Sequence, residues 1–346
     1  MPTTDCLTEL LAAAGALRET AAGRQEVVSF GDSAAEYAAL ANTTGLVALP
    51  DRTQVELTGR DRASFLHSFC TNDIRSLAPG QGREAFICNV QGKLAGHGLV
   101  FCREESLVLE STPGQAEKLI QHLDRYLIRE QVELHDRSHD WQELLLAGPQ
   151  AESLLAALNI APLPGERLSH GKAFIGGCQV QVRRVDFVRP PALLLSMESS
   201  RAAAVWRTLL DAGARPCGWQ AWEAARIEAG WPWYGQDMND ENLPQELARD
   251  TQAISFVKGC YLGQETVARI DALGHVNKLL CRLRFATATP PAAGTVLFNG
   301  EKEVGRITSA AFSPGTQASV ALGYLRRGSH QPGQAVESAV GPGEVM

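Results

Sequence analysis

Helix-like and strand-like patterns of apolar residues alternate along the first 270 residues of the chain. Apolar side chains recur every three or four positions over residues 7–17, and the same spacing predicts helices over residues 199–212 and Trp219–Ala229. Residues 112–127 begin with Thr-Pro, which is typical of a helix start, and continue with an apolar face. Trp141–Ala147 has strand character. The pattern predicts an α+β protein.

The pattern changes after residue 271, where short β-like runs are separated by glycine and proline. A series of such runs predicts a small antiparallel β-barrel. We place the domain boundary at residues 272–274, which gives a first domain of residues 1–273 and a second of residues 274–346. Residues 329–346 are rich in glycine, proline and small side chains, and we expect them to fray. The barrel runs are 277–285, 295–298, 303–309 and 319–325.

Composition narrows the functional classes. The chain has 346 residues, of which 45% are hydrophobic and 21% charged, as in soluble globular proteins. Its net charge of -7 argues against nucleic-acid binding through the phosphate backbone, which needs clustered Lys and Arg. No apolar run approaches the roughly 20 residues that span a bilayer, and the first residues lack the layout of a signal peptide. We expect a cytoplasmic protein with no membrane or nucleic-acid partner.

The cysteines and histidines give no clear metal site. The eight cysteines are scattered without a Cys-x-x-Cys pair, so we expect free thiols and no bound metal. His135 and His139 have the i,i+4 spacing of two metal ligands on one helical face. They fall in the polar stretch 134–140, however, which is more typical of a turn.

The strongest candidate for chemistry is the segment KGCYLGQE at residues 258–265. Gly259 and Gly263 permit tight or left-handed backbone, so we expect Cys260 to be presented on a sharp turn. Lys258 is two residues from the thiol and could favour the thiolate, the form that attacks electrophiles or binds metals. The alternative is a small buried cysteine that only packs.

That segment, with TVAR at 266–269, resembles the signature of the YgfZ-type folate-binding proteins, which are relatives of the aminomethyltransferase (T-protein) of the glycine cleavage system. The resemblance covers nearly the whole chain. It includes LTGRDR at 57–62, TND at 71–73, NVQGK at 89–93 and RIEAG at 226–230.

The resemblance implies a fold and a function. The implied fold is a duplicated ferredoxin-like region followed by the barrel, arranged as a ring around a central hole. The implied cofactor is tetrahydrofolate or a one-carbon derivative. The implied function is that of an accessory protein, a monomer by default, in the assembly or maintenance of iron–sulfur enzymes, including radical-SAM enzymes that modify tRNA. Cys260 would then be the reactive group, with Lys258 activating it and Glu265 orienting the segment.

The resemblance also implies folate contacts. Glu228 matches a glutamate that contacts the pterin, and Arg226 lies beside it on the same predicted helix. A helix-surface pair exposed to water is the alternative. Independently of the resemblance, Trp233 belongs with Trp231 and Tyr234 to an aromatic group that could stack on the planar ring or form a buried corner. We also assign Gln264, from the signature segment, to the folate contacts.

Asn72 and Asp73 follow a short predicted helix, and we consider two roles for them. Their side chains could reach the same folate pocket. They could equally cap and bend the backbone, as Asn and Asp commonly do in turns.

One difference from the aminomethyltransferase sequence pattern bears on which function this chain has. Aminomethyltransferases carry an aspartate pair after the turn that matches residues 89–93, whereas this chain has Gly96 and His97 there. The missing carboxylate argues against aminomethyl transfer to folate unless His97 replaces it as a base. A folate-dependent aminomethyltransferase is therefore the alternative function, and an interaction scaffold with an empty folate pocket is a third.

Overall fold

A computed structural model describes residues 7–19, 25–189 and 191–346. Helices alternate with strands up to residue 273, and strands alone follow. The helices are α1 (Leu7–Ala14), α2 (Ser33–Asn42), α3 (Arg62–His67), α4 (Ala116–Asp124), α5 (Ala151–Ala157), α6 (Ala202–Asp211), α7 (Trp219–Ala229), α8 (Asp250–Ala253) and α9 (Gln264–Leu273), with 3-10 turns at Ser199–Arg201 and Pro244–Leu247.

The strands form two large sheets, a small hairpin and a barrel. The strands are β1 (Ala16–Glu19), β2 (Gln25–Ser29), β3 (Gly45–Leu49), β4 (Thr53–Thr58), β5 (Gly82–Cys88), β6 (Leu94–Cys102), β7 (Leu107–Ser111), β8 (Glu133–Asp136), β9 (Trp141–Ala147), β10 (His170–Ile175), β11 (Cys178–Arg184), β12 (Ala192–Glu198), β13 (Arg215–Cys217), β14 (Lys278–Phe285), β15 (Val296–Asn299), β16 (Lys302–Ser313), β17 (Ala318–Arg326), β18 (Ala335–Ser338) and β19 (Gly341–Val345).

The two large sheets share a core. One has the strand order β5-β6-β7-β4-β8 and the other β10-β11-β12-β9-β3-β13, and β1 pairs with β2 in a separate hairpin. Phe101 from the first sheet and Leu145 and Leu194 from the second belong to one buried cluster, together with Trp222 of α7. Burial of these large apolar side chains is the main force that holds the sheets together. Helix α7 therefore lies at the centre of the molecule.

The C-terminal barrel is closed and antiparallel, in the order β14-β17-β16-β15-β18-β19. The α+β class and the C-terminal barrel predicted from the sequence are thus confirmed. The prediction that residues 329–346 fray was wrong. They contain β18 and β19, and β19 pairs with β14 to close the barrel. Val336 and Val345 are buried inside it, so the strand pairing and apolar burial order this glycine-rich segment.

Two predicted helices have different bounds. The first ends at Ala14, and the chain continues into β1, which pairs with β2. Helix α4 begins at Ala116 rather than at Thr112, because Gly114 adopts a left-handed conformation (φ +79°) that interrupts the predicted helix. The Thr112 hydroxyl instead donates to the Tyr234 carbonyl. The helix Trp219–Ala229 and the strand Trp141–Ala147 are confirmed with the predicted bounds.

The stretch expected to be a turn around His135 is partly a strand. Residues Glu133–Asp136 form β8 and pair with β4. His135 therefore does not share a helical face with His139. Within residues 7–19, 25–189 and 191–346, no group of three or more His, Cys, Asp or Glu side chains could hold a metal ion. No helix of these residues is long and apolar enough to cross a bilayer.

Candidate functional site

The segment 258–265 follows α8, includes the first turn of α9 and is anchored by a buried lysine. Lys258 donates from Nζ to the carbonyl oxygens of His67 (2.6 Å), Cys70 (2.6 Å) and Asn72 (2.9 Å). Its ammonium also lies 4.8 Å from the centre of the Tyr261 ring. Three carbonyl acceptors compensate the ammonium for its lost hydration. Lys258 therefore fastens the segment to the loop after α3.

Cys260 differs from the other described cysteines because it is exposed, whereas the other six are buried. The expected presentation of this thiol on the surface is thus observed. The hydrogen bonds that the described residues make with the Lys258 ammonium go to carbonyl oxygens rather than to Cys260. Burial raises the pKa of Cys70 to about 11 and that of Cys88 to about 12, and the charge of Lys258 opposes both shifts. Lys258 therefore lies close to two buried thiols.

A close approach between two glycines joins the signature segment to the turn at residues 89–93. Gly263 has φ +81°, and a Cβ there would lie 2.4 Å from the Asn89 carbonyl oxygen. Gly92 has φ +74°, and its Cβ would lie 2.6 Å from the Thr266 Cβ. Both positions require glycine, for conformation and for space. Gly259 is outside the left-handed region and faces open space, so the left-handed backbone considered for both glycines is found at Gly263 and not at Gly259.

Gln264 and Glu265 form the first turn of α9. Gln264 accepts a hydrogen bond from the Tyr261 backbone N–H through Oε1 (3.3 Å). Glu265 is exposed, and a carboxylate in the first helical turn interacts favourably with the helix dipole. Both residues thus shape the segment that carries Cys260.

Arg226 and Glu228 are buried on α7, so the alternative of a water-exposed pair is wrong. Arg226 makes a two-point ion pair with Glu223 and also donates from Nη1 to Asp237 (2.8 Å). Glu228 accepts hydrogen bonds from the Tyr37 hydroxyl (2.7 Å) and from the Ser313 hydroxyl. Both carboxylate oxygens of Glu228 therefore have protein donors. The pair fastens α7 to its neighbours.

Asp237 connects this region to the barrel. Its Oδ2 accepts from Arg226 and from the Trp233 backbone N–H (2.9 Å), and its Oδ1 accepts from Thr308 and Ser309. Arg226 and Trp233, both predicted site residues, are thereby held together. The sequence analysis missed Asp237.

Asn72 and Asp73 lie with Lys258 rather than with Trp233. Asn72 donates from Nδ2 to the carbonyls of Glu84 (2.9 Å) and Gln252 (3.0 Å) and accepts from the Asp73 N–H. Asp73 accepts from the Ser76 N–H. These contacts are those of a backbone-supporting turn.

His97 is buried in a charge network. Its Nε2 lies 2.8 Å from Glu84 Oε1, and its ring is 5.6 Å from that of Trp231. Arg249 and Arg167 also pair with Glu84. Burial alone would raise the pKa of Glu84, but Arg249 and His97 hold it well below the usual range. Glu84 is therefore held as a carboxylate, and it occupies Nε2, one of the two ring nitrogens of His97.

A cavity of about 310 Å³ opens beside Trp233. The rings of Trp219 and Trp233 stand edge to face with their centres 5.8 Å apart, and Phe30 and Leu49 add further apolar walls. Arg52 also lines this cavity. Cavities of this size with mostly apolar walls and few polar groups are typical of small-molecule sites. Of the predicted folate contacts, Trp233 lies at this cavity.

Three charged residues, Glu26, Asp51 and Arg52, line this cavity, and Arg52 is the buried cation among them. It is 3% exposed, pairs with Glu110 and lies 3.3 Å from Glu143, and its guanidinium is 5.1 Å from the Trp233 ring centre. Its Nη1 is buried and has no hydrogen-bond partner in the described structure. Burial and the neighbouring Glu110 carboxylate raise the pKa of Glu143 to about 8. A buried donor with unused capacity therefore borders the cavity.

The sequence analysis missed Arg52 and Trp219. Arg52 stands between the apolar strand β3 and the start of β4, where an arginine suggests only a turn. Trp219 opens α7, and a tryptophan beside a helix start indicates packing as readily as ligand contact. Neither position carries a signal that would have identified it.

Comparison with known proteins identifies the family. Residues 7–253 match the GCVT N-terminal domain, and residues 278–346 match the glycine cleavage T-protein C-terminal barrel domain. A putative chloroplastic transferase of Arabidopsis thaliana is 28% identical over 90% of this chain and 72% of its own length. An aminomethyltransferase of Geobacillus kaustophilus is 27% identical over 91% of this chain and 88% of its own length.

A solved structure shares the whole fold. The aminomethyltransferase T of the glycine cleavage system from Bartonella henselae superimposes with a TM-score of 0.88 at 20% identity, covering 98% of this chain and 95% of that one. The likeness at this identity supports the fold, and the two domain matches span nearly all described residues. The chain belongs to the glycine cleavage T-protein family.

Proposed function

We propose that this chain binds tetrahydrofolate, or a one-carbon derivative of it, and serves as a YgfZ-type accessory protein to iron–sulfur enzymes. The observation that carries the proposal is the presentation of Cys260. It is exposed, while the segment around it is fastened by the buried Lys258 and by the close approach of Gly263 to Asn89. A thiol on a fixed, exposed loop is suited to act on another protein.

The cavity beside Trp233 offers aromatic and cationic contacts of the kind that a folate needs. A folate consists of a flat pterin, a benzoyl ring and a tail with two carboxylates, so it needs aromatic contact and cationic donors. Trp219 and Trp233 supply the aromatic surfaces, and Arg52 supplies a buried guanidinium whose Nη1 lacks a partner in the described structure. When bound, the folate would supply a carrier for a one-carbon unit.

The protein groups around this cavity would orient the folate and keep water from it. Arg52 would donate to an oxygen of the folate while Glu110 and Glu143 hold the guanidinium in place. Arg226 would support the wall through Asp237, which also accepts from the Trp233 N–H, and Glu228 already has protein donors on both of its oxygens. The pterin contact first predicted for Glu228 stays a prediction, which Glu228→Gln tests by titration with tetrahydrofolate.

Cells that lack this protein provide the test for Cys260. The measured quantity is the activity of a radical-SAM tRNA-modifying enzyme after complementation with wild type, with Cys260→Ser or with the control Cys178→Ser, which makes the same change at a buried strand position. We expect the control to restore activity and Cys260→Ser to fail at equal protein levels. Full restoration by Cys260→Ser would refute the role of this thiol.

Aminomethyl transfer is the second candidate, and it is favoured by the relatives that carry the name aminomethyltransferase. Two features oppose it. Gly96 and His97 stand where the resemblance implies an aspartate pair, and Nε2 of His97 is already paired with Glu84. A glycine-cleavage assay with the other components of that system separates the candidates, because turnover would establish the transferase.

A further inference from the structure

We propose that a second cavity, between the C-terminal end of α9 and the barrel, binds an alkylammonium group. The cavity has a volume of about 290 Å³, and its lining includes Gln245, Asp250 and Asp271 together with Leu279 of β14. It is separate in its lining from the cavity beside Trp233. The inference does not depend on folate binding.

Two buried acceptor oxygens line this cavity without a partner among the described residues. Gln245 is 5% exposed, and its Nε2 donates to the Val267 carbonyl at 2.7 Å, which leaves Oε1 as the unused acceptor of the amide. Asp250 Oδ1 is also buried and unpaired. Leaving a buried polar atom without a partner costs about 1–3 kcal/mol. Both atoms therefore require a donor.

The charge around these atoms selects a cation. Asp250 and Asp271 contribute two carboxyl groups, and burial together with Asp271 raises the pKa of Asp250 to about 6. The C-terminal end of α9, at Leu273, adds the negative end of a helix dipole. None of the described lining residues is Lys or Arg. A bound cation would relieve the repulsion between the two carboxylates.

The histidines at the rim add acceptors. His275 Nδ1 lies 2.8 Å from the Leu273 carbonyl, and His330 Nδ1 lies 3.4 Å from the Arg326 carbonyl. A carbonyl only accepts, so Nδ1 carries the hydrogen in each neutral ring and Nε2 is left as an acceptor. The polar part of the lining is thus suited to a group with several N–H donors.

An organic ammonium fits this lining better than a metal ion does. Within the described residues, no three His, Cys, Asp or Glu side chains are arranged to hold a metal. The remaining walls are apolar, from Ile270, Val276 and Leu279. A primary ammonium has three donors for the oxygens, and a short hydrocarbon chain can lie on these walls.

The test is calorimetric titration of the full chain at pH 7.5 with n-butylammonium, with butan-1-ol as the neutral analogue and MgCl₂ as the metal arm. We expect n-butylammonium to bind, butan-1-ol to show no binding, and Asp250→Asn to weaken n-butylammonium by roughly tenfold or more, as loss of a charged hydrogen bond predicts. The matched control is Asp211→Asn, which neutralises an exposed aspartate at the end of α6. It should bind as wild type does.

A second variant and a second ligand complete the design. Gln245→Met removes the other unpaired oxygen and should also weaken binding if Asp250→Asn fails to fold. Nα-acetyl-lysine methylamide distinguishes two sources of the ammonium group. If it binds, the natural ligand is a lysine side chain of a partner protein; if it does not bind while n-butylammonium does, the natural ligand is a small amine. Equal binding of n-butylammonium to wild type and to both variants would overturn the proposal. The proposal would also be overturned if butan-1-ol bound with the same affinity as n-butylammonium, or if Mg²⁺ bound and n-butylammonium did not.

Discussion

Replacing Lys258 with methionine removes the ammonium that fastens the signature segment, and we expect a large loss of stability. Three carbonyl oxygens, those of His67, Cys70 and Asn72, would lose their charged donor. A hydrogen bond to a charged group contributes about 1.5–3 kcal/mol, but removing the ammonium also removes the cost of burying it, which is several kcal/mol. The expected decrease in the free energy of unfolding is about 3–5 kcal/mol.

Urea denaturation measures this decrease, with Lys93→Met as the matched control. Lys93 is exposed on the neighbouring turn, so its replacement should change the free energy of unfolding by less than about 0.5 kcal/mol. Alkylation of Cys260 by iodoacetamide, followed by mass spectrometry under native conditions, tests the other role considered for Lys258. We expect the alkylation rate of the folded variant to stay within about twofold of wild type, since the ammonium is bonded to carbonyls.

The opposite pattern would refute this reasoning. If Lys258→Met unfolds at the wild-type urea concentration while alkylation of Cys260 slows by tenfold or more, Lys258 activates the thiol and does not anchor the loop. The two measurements therefore distinguish the anchoring role observed in the structure from the activating role predicted from the sequence.

Three further predictions concern stability. Asp250→Asn should raise the melting temperature at pH 7.5, because burial disfavours the charged carboxylate. This gain should shrink as the pH falls from about 6 and vanish below about 4, where Asp250 is protonated in both the folded and the unfolded state. A pH series of thermal melts measures the gain. Gly263→Ala should destabilise the protein by about 1–3 kcal/mol in urea, because its Cβ would lie 2.4 Å from the Asn89 carbonyl oxygen at a positive φ; wild-type stability would contradict the close approach. Removal of residues 333–346 should abolish cooperative thermal unfolding of the barrel, since β19 no longer closes it, and an unchanged calorimetric transition would disprove that role.

Local patterns predicted the elements that are ordered by local interactions. The apolar spacing over α7 predicted its bounds, and the glycine-punctuated runs after residue 271 predicted the barrel. Residues 335–345 were misjudged because their order comes from the pairing of β19 with β14, about sixty residues earlier in the chain, and from burial of Val336 and Val345. Short glycine-rich strands carry little signal of their own when tertiary pairing determines them.

The candidate site was predicted only in part, for a similar reason. Cys260 was found because its neighbours in sequence are unusual, and Trp233 because it lies in an aromatic group. Arg52 and Trp219 line the same cavity from positions far apart in the chain, so no local pattern marks them. The pairing of His97 with Glu84 likewise depends on the register of β5 and β6.

Calorimetric titration with tetrahydrofolate tests the central claim most directly, because the proposed function requires a folate in the cavity beside Trp233. Wild type should bind, and Trp233→Leu and Arg52→Met should each weaken binding by roughly tenfold or more. Trp141→Leu, which removes a tryptophan outside the lining of that cavity, should bind as wild type does. Absence of binding to wild type, or equal affinity of all four proteins, would contradict the account.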